Sequence, residues 1–157
     1  AFYKEVKMKF VIFVLALILA GCSVTAKHPT SSEFVSISDT MEIIRNAAAS
    51  APEGVMGEYV LSIKAAGKQG PVVYLNTEFD YRDQRNVSVA LHPKLIPQLE
   101  AQYGVKAEEF FIGKTIRVKG NAHRARIDFI DAHRKPSGKY YFQTHIRIVN
   151  LTQIEVM

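Results

Sequence analysis

The sequence predicts a mainly β domain: a small barrel of five to six short strands, with one helix between the third and fourth strands and another at the N-terminal end. Three observations carry this expectation. From Gly57 onward apolar residues recur at every second position, the strand period. Turn-forming clusters interrupt that alternation at short intervals. The two stretches with helical signals are short, one before the first strand and one after the third.

In chain order, Ser38 or Asp39 supplies an N-cap for a helix to about Ser50, with Met41, Ile44 and Ala48 near helical spacing, and Pro52 and Gly54 end it. Gly57 to Ala65 reads as a strand with Tyr59, Leu61, Ile63 and Ala65 on one face. After the turn GKQGP, Val72 to Tyr81 is a second strand; after the polar turn RDQRN, Val87 to Leu91 is a third, with Asn86, Ser88 and Ala90 on its other face. His92-Pro93 stops it, Lys94 to Tyr103 forms a helix, and Gly104 ends that helix as a C-cap. From Thr115, Ile116 and Val118 point inward. At Gly120 the phase is expected to slip, making Ala125, Ile127 and Phe129 core and Arg124, Arg126 and Asp128 surface, as at a bulge or barrel corner. KPSG, 135–138, is a turn; 139–150 is a strand and 153–156 a last short one.

The apolar run FVIFVLALILAGCSV, 10–24, ends on the only cysteine. Its core from Phe10 to Gly21 is too short for a bilayer span, which needs roughly 20 residues, and fits the apolar core of a secretory signal. Met8 and Lys9 supply a start and a positive flank, leaving Ala1 to Lys7 as an upstream extension. Leu19-Ala20-Gly21-Cys22 resembles the lipobox of bacterial lipoproteins. The resemblance implies cleavage before Cys22, a diacylglycerol on its sulfur and an acyl chain on its new amino group. No other cofactor is expected. Residues 1–21 are then extension and leader, 22–36 a lipid-anchored flexible linker that includes the polar stretch SVTAKHPTSSE, and 37–157 the domain. Ser23 in place of Asp resembles lipoproteins of the outer membrane facing the periplasm, in a Gram-negative organism.

Cleavage before Cys22 leaves 136 residues, enough for one cored domain, and no second cysteine for a disulfide. The 17 Lys+Arg and 14 Asp+Glu of that chain are unevenly placed. Residues 114–147 hold nine basic side chains against Asp128 and Asp131, so this segment invites an anionic partner.

FIGKTIRVKG, 111–120, and QTHIRIVNLTQIEV, 143–156, resemble the closing strands of bacterial OB-fold domains. Over roughly 57–157 the resemblance implies an OB-like barrel with its helix between strands three and four. Such barrels bind oligonucleotides or oligosaccharides.

On the late strand, Phe142, Ile146 and Ile148 are expected on one face and Tyr141, Gln143, His145 and Arg147 on the other. With Arg117, Lys119, His123, Arg124 and Arg126 from the preceding strand, the second face would form a basic, aromatic platform; its bland counterpart is a solvated strand face with cross-strand pairs. Glu78, Asp80 and Asp83, interleaved with Arg82 and Arg85, read as a self-neutralising turn ahead of a metal site. The five histidines lack zinc-ligand spacing, and no nucleophile motif or phosphate loop occurs.

The expected function is therefore that of a non-enzymatic envelope lipoprotein, held on the membrane by its lipid anchor and binding an anionic lipid, glycan or envelope protein. A single-stranded nucleic-acid-binding or nuclease-related OB domain is the alternative, disfavoured by export; a structural or assembly factor is the third reading.

Overall fold

The computed structural model describes residues 36–157. The expected leader, Cys22 and most of the expected linker fall on residues 1–35, which lie outside the described residues.

Helix α1 spans Thr40–Ala49, and the Asp39 side chain caps it by accepting from the Met41 amide at 2.9 Å. Ile43 and Ala47, one turn apart, are its buried positions, with Ile44 half-buried beside them. The expected stripe is thus corrected: Met41 and Ala48 face solvent, because the helix seats on the sheet about the Ile43–Ala47 line.

Seven strands follow: β1 (Val55–Ser62), β2 (Ala65–Gln69), β3 (Val72–Asn76), β4 (Val87–Leu91), β5 (Thr115–Ile130), β6 (Pro136–Ile148) and β7 (Ile154–Val156). Between β4 and β5 run a 3₁₀ turn at Pro93–Leu95, α2 (Ile96–Tyr103) and the short α3 (Ala107–Phe110). Gly104 ends α2 in the left-handed conformation, φ 75°, as its C-cap. The sheet order is β1-β5-β6-β4-β3-β2, with β7 on β5; every pair is antiparallel except β4–β6.

The strand count exceeds the expected five to six because the first predicted strand breaks at Ile63-Lys64, so the helical segment falls between the fourth and fifth strands. The break has a cause in hydrogen bonding. Ile63 exchanges backbone bonds with Gly113 and Lys114, ahead of β5, whereas the Lys64 amide donates to Asn76 of β3. β1 and β2 therefore sit at opposite ends of the sheet order with two residues between them in the chain.

The core lies on one face of the sheet under α1, α2 and α3, with Tyr59, Leu61, Phe111, Ile116, Ile146 and Ile148 among its fully buried side chains. Gly120 lets β6 approach: a Cβ there would lie 2.9 Å from Ile146 Cγ2. The expected phase slip at Gly120 does not occur. Pairing runs without a shift from Ala122↔Ile146 to Asp128↔Tyr140, so Arg124, Arg126 and Asp128 continue the face of Ile116, Val118 and Ala122. Ala125, Ile127 and Phe129 lie on the outer face. The reason is length: past the buried Thr144, which pairs with Arg124, the β5–β6 hairpin outruns the core, and no buried face remains to select apolar residues. The turn also moves, from the expected 135–138 to Asp131–Lys135, where the Asp131 carboxylate accepts from the His133 and Lys135 amides at 2.9 Å each.

Candidate functional site

The structure divides the expected platform between two faces of the hairpin. Arg117, Lys119, His123, Tyr141, Gln143, His145 and Arg147 lie on the outer face of the sheet. Arg124 and Arg126 lie on the opposite face, with Tyr140 and Phe142. This corrects the single basic face, and the phase at Gly120 is the physical reason.

On the outer face Arg117 and Lys119 are committed to carboxylates. Lys119 Nζ is 3.1 Å from Glu58, Arg117 Nε is 3.2 Å from the same carboxylate, and Arg117 Nη1 is 3.1 Å from Glu155. A hydrogen bond from the Ser36 hydroxyl, then Lys119, holds the Glu58 carboxyl below its ordinary pKa. These cations are largely neutralised as ligands for an incoming anion.

The same face carries a row of rings and an amide. His123 and His145 are directly paired across β5 and β6, with ring centroids 6.2 Å apart, and Tyr74 stands 5.8 Å from His145. Gln143 donates through Nε2 to the Tyr81 carbonyl at 2.9 Å and to the Tyr141 hydroxyl at 3.0 Å. A carbonyl only accepts, so the amide orientation is determined: Gln143 Oε1 faces His145 Nε2 at 2.7 Å, and that nitrogen must carry the proton. Phe129 extends the row, 5.3 Å from Tyr141.

Burial, and secondarily the neighbouring His123, lower the His145 pKa from 6.5 to about 4. A base held below its unfolded pKa takes up its proton more readily when unfolded. Its contribution to stability is intact above about pH 6.5 and is lost as pH falls towards about 4. Denaturant titrations across that window are expected to show stability declining with acid in the wild type and a shallower decline in His145→Gln; equal slopes would contradict the assignment.

The opposite face of the hairpin is the basic one. The Arg124 guanidinium lies 3.6 Å from the Phe142 ring centroid and Arg126 4.1 Å from that of Tyr140. Arg126 is also paired with Asp128 at 2.8 Å. Arg124 has no carboxylate partner among the described residues. With Arg134, Lys135 and Lys139 near the tip, residues 123–145 carry five cationic side chains against Asp128 and Asp131.

The strand expected over Val72 to Tyr81 is corrected: β3 ends at Asn76, and 77–86 form a loop flanking this hairpin, because Asn86 gathers the chain there and sequence reasoning missed its buried network. Asn86, buried, donates through Nδ2 to Asn76 Oδ1 at 3.1 Å, Ser88 Oγ at 2.9 Å and the Tyr81 carbonyl at 3.3 Å, and its Oδ1 accepts from the Glu78 amide at 3.1 Å. The signal was the i, i+2 spacing of Asn86 and Ser88 on the face opposite the core. Around this loop Asp80 binds Arg82, Asp83 binds Arg85 and Glu78 binds Lys64, at 2.7–3.0 Å. Arg85 draws the Asp83 pKa down to about 2. Among the described residues no cluster of three or more His, Cys, Asp or Glu is placed to hold a metal ion, and no helix is long and apolar enough to cross a membrane.

The class that fold and site define is a mainly β domain with a projecting two-stranded arm. No family model matches the chain, and no curated protein matches it. Among solved structures it is similar to the crystal structure of a "putative aspartyl-tRNA synthetase from Leishmania major Friedlin", with 10% identity and a TM-score of 0.41 over 83% of this chain. The match spans 22% of that chain, and a likeness so distant assigns neither fold nor function.

Proposed function

We propose that the chain is a non-enzymatic envelope lipoprotein whose OB-like barrel binds an anionic envelope component or a partner protein through the β5–β6 arm. The barrel reading is supported by β1 and β2 lying at opposite ends of the sheet order yet joined through Ile63-Lys64, by the parallel β4–β6 pair and by the helical segment between β4 and β5. The anchor reading is supported by Leu19-Ala20-Gly21-Cys22 and the charged, then apolar, stretch before it. Acyl chains at Cys22 would hold the domain on a membrane, the outer one facing the periplasm in a Gram-negative cell.

The observation that carries the ligand reading is Arg124: a guanidinium stacked on Phe142, unpaired among the described residues, on an arm whose other face is nearly neutral. A guanidinium held by a ring loses less rotamer freedom on meeting a carboxylate, phosphate or sulfate. Two measurements test the proposal. Labelled palmitate should enter the wild type and not Cys22→Ser. Binding to phosphatidylglycerol vesicles or lipopolysaccharide at low salt should fall about tenfold or more in Arg124→Glu with Lys139→Glu. Unchanged binding to both would overturn the anionic-ligand reading.

The guanidinium–ring stacks also favour the second reading, since such pairs accept nucleobases. Binding to single-stranded DNA that falls steeply with salt and is weakened by Phe142→Ala would select it; no binding at low salt would remove it.

A further inference from the structure

The outer edge of β5 beyond Ala122 has no strand partner among the described residues. β1 stops at Val55↔Ala122, β7 covers only Ile116 to Val118, and β6 holds the other edge. The free edge is regular, because the irregularity near the tip falls on β6, where Ser137, Gly138 and Lys139 oppose the single Phe129. Free amide and carbonyl groups along such an edge are a template for another strand. Edges are commonly blunted by proline, by a bulge or by charged side chains, which repel an incoming strand unless that strand carries the opposite charge in register. Residues 123–130, HRARIDFI, contain no proline and no bulge lies on this strand, while its charges, Arg124, Arg126 and Asp128, disfavour a generic strand and admit one that sets opposite charges against Arg126 and Asp128.

We infer that this edge pairs antiparallel with the same edge of a second copy of the chain, about a two-fold axis at Ile127. That axis sets Arg126 opposite Asp128 of the second copy, and Asp128 opposite its Arg126, on one face. On the other face Ala125 meets Phe129, small against large, and Ile127 meets itself. Moving the axis to Arg126 or Asp128 puts like charges opposite each other, which is unfavourable. In the single chain Arg126 already reaches Asp128 along the strand at 2.8 Å, so dimerisation moves an existing ion pair across the edge without leaving either charge alone. An isologous contact of this kind closes as a dimer and does not propagate. The two arms merge into one four-stranded ribbon with both Arg124 side chains on one face. The inference does not depend on the anionic ligand, and a membrane anchor would strengthen the pairing by raising effective concentration.

Sedimentation equilibrium of the full chain in detergent tests the pairing. The wild type should self-associate. Arg126→Asp should weaken association about tenfold or more, and Arg126→Asp with Asp128→Arg should restore it, because the exchange recreates the complementary pattern. Arg126 is exposed and Asp128 half-exposed, so the variants retain the core. In a Cys22→Ser background, Ile127→Cys should form a symmetric disulfide and His133→Cys, at the tip, should not. A monomeric wild type, undiminished association in Arg126→Asp, no rescue by the exchange, or cross-linking at His133→Cys as efficient as at Ile127→Cys would each overturn the two-fold pairing. Vesicle or lipopolysaccharide binding failing while association persists would reject only the ligand reading.

Discussion

Phe111→Ala is expected to lower the unfolding free energy by about 3–5 kcal/mol, the usual range for emptying a buried aromatic position. Phe111 is fully buried where α3 ends. Its ring meets Phe110 edge-on at 5.1 Å and Tyr103 of α2 at 6.0 Å, while Phe110 and Tyr103 stack at 3.7 Å. The three rings join the helical segment to the sheet, and α3 packs on β2 and β3. Residues flanking Phe111 cannot easily collapse into the void, because the chain turns sharply behind it at Gly113, φ 78°. Equilibrium denaturation followed by circular dichroism measures the loss. Phe111→Leu, which keeps most of the volume, should cost clearly less, and equal costs would mean that the ring is not packed as described.

Asn86→Ala is expected to cost about 2–4 kcal/mol, from a hydrogen-bond network instead of a cavity. Removing the amide leaves the Glu78 amide without a partner and takes one of two donors from Asn76 Oδ1, which keeps Ser88, and from the Tyr81 carbonyl, which keeps Gln143. Buried polar atoms without partners lose their solvation with nothing in exchange. The effect should reach the hairpin, since Asn86 and Gln143 both donate to the Tyr81 carbonyl. When the loop loosens, Gln143 is no longer held in one orientation and the proton on His145 Nε2 is no longer dictated. Nitrogen NMR of the imidazoles should show a single Nε2–H tautomer in the wild type and a mixture in Asn86→Ala. A stable variant with an unchanged His145 signal would remove Asn86 from this role.

The two predictions differ in how legible their residues were. Phe111 stands in a plain apolar cluster, Phe110-Phe111-Ile112, from which apolar area predicts that some member is buried, although Ile112 is in fact exposed. Asn86 stands in a polar turn, RDQRN, and apart from its i, i+2 spacing to Ser88 nothing in its neighbours along the chain says that it is buried. Its partners Asn76 and Ser88 come from two different strands, and only their pairing at Asn76↔Ser88 brings the three together. A buried polar network is a tertiary object, since each member is tolerable inside only when the others are present.

The hairpin illustrates the same limit from the other direction. Alternation predicted a strand on each side of Gly120, and strands are there; the face assignment past Gly120 was reversed. Period-two reading assigns apolar residues to the interior wherever an interior exists. Past the Arg124↔Thr144 pair none exists, so Ile127 and Phe129 lie on the outer face, while Arg124 and Arg126 share the parity of the core and stack on aromatic rings.

By itself the sequence determined the mainly β character, a helix capped at Ser38 or Asp39, a second one ended by Gly104, and a self-neutralising charged turn around Asp80 to Arg85; the structure chose Asp39 as the cap and paired Asp80 with Arg82 and Asp83 with Arg85. These are local matters, decided by side-chain alternation, capping geometry and charges close along the chain. Tertiary structure alone decided that the first strand breaks at Ile63-Lys64, that Arg117 and Lys119 are bound by Glu58, and that the hairpin outruns the core and presents two chemically different faces. Each depends on residues distant in sequence competing for the same hydrogen bonds, charges or volume, and that competition is settled only when the strands are paired.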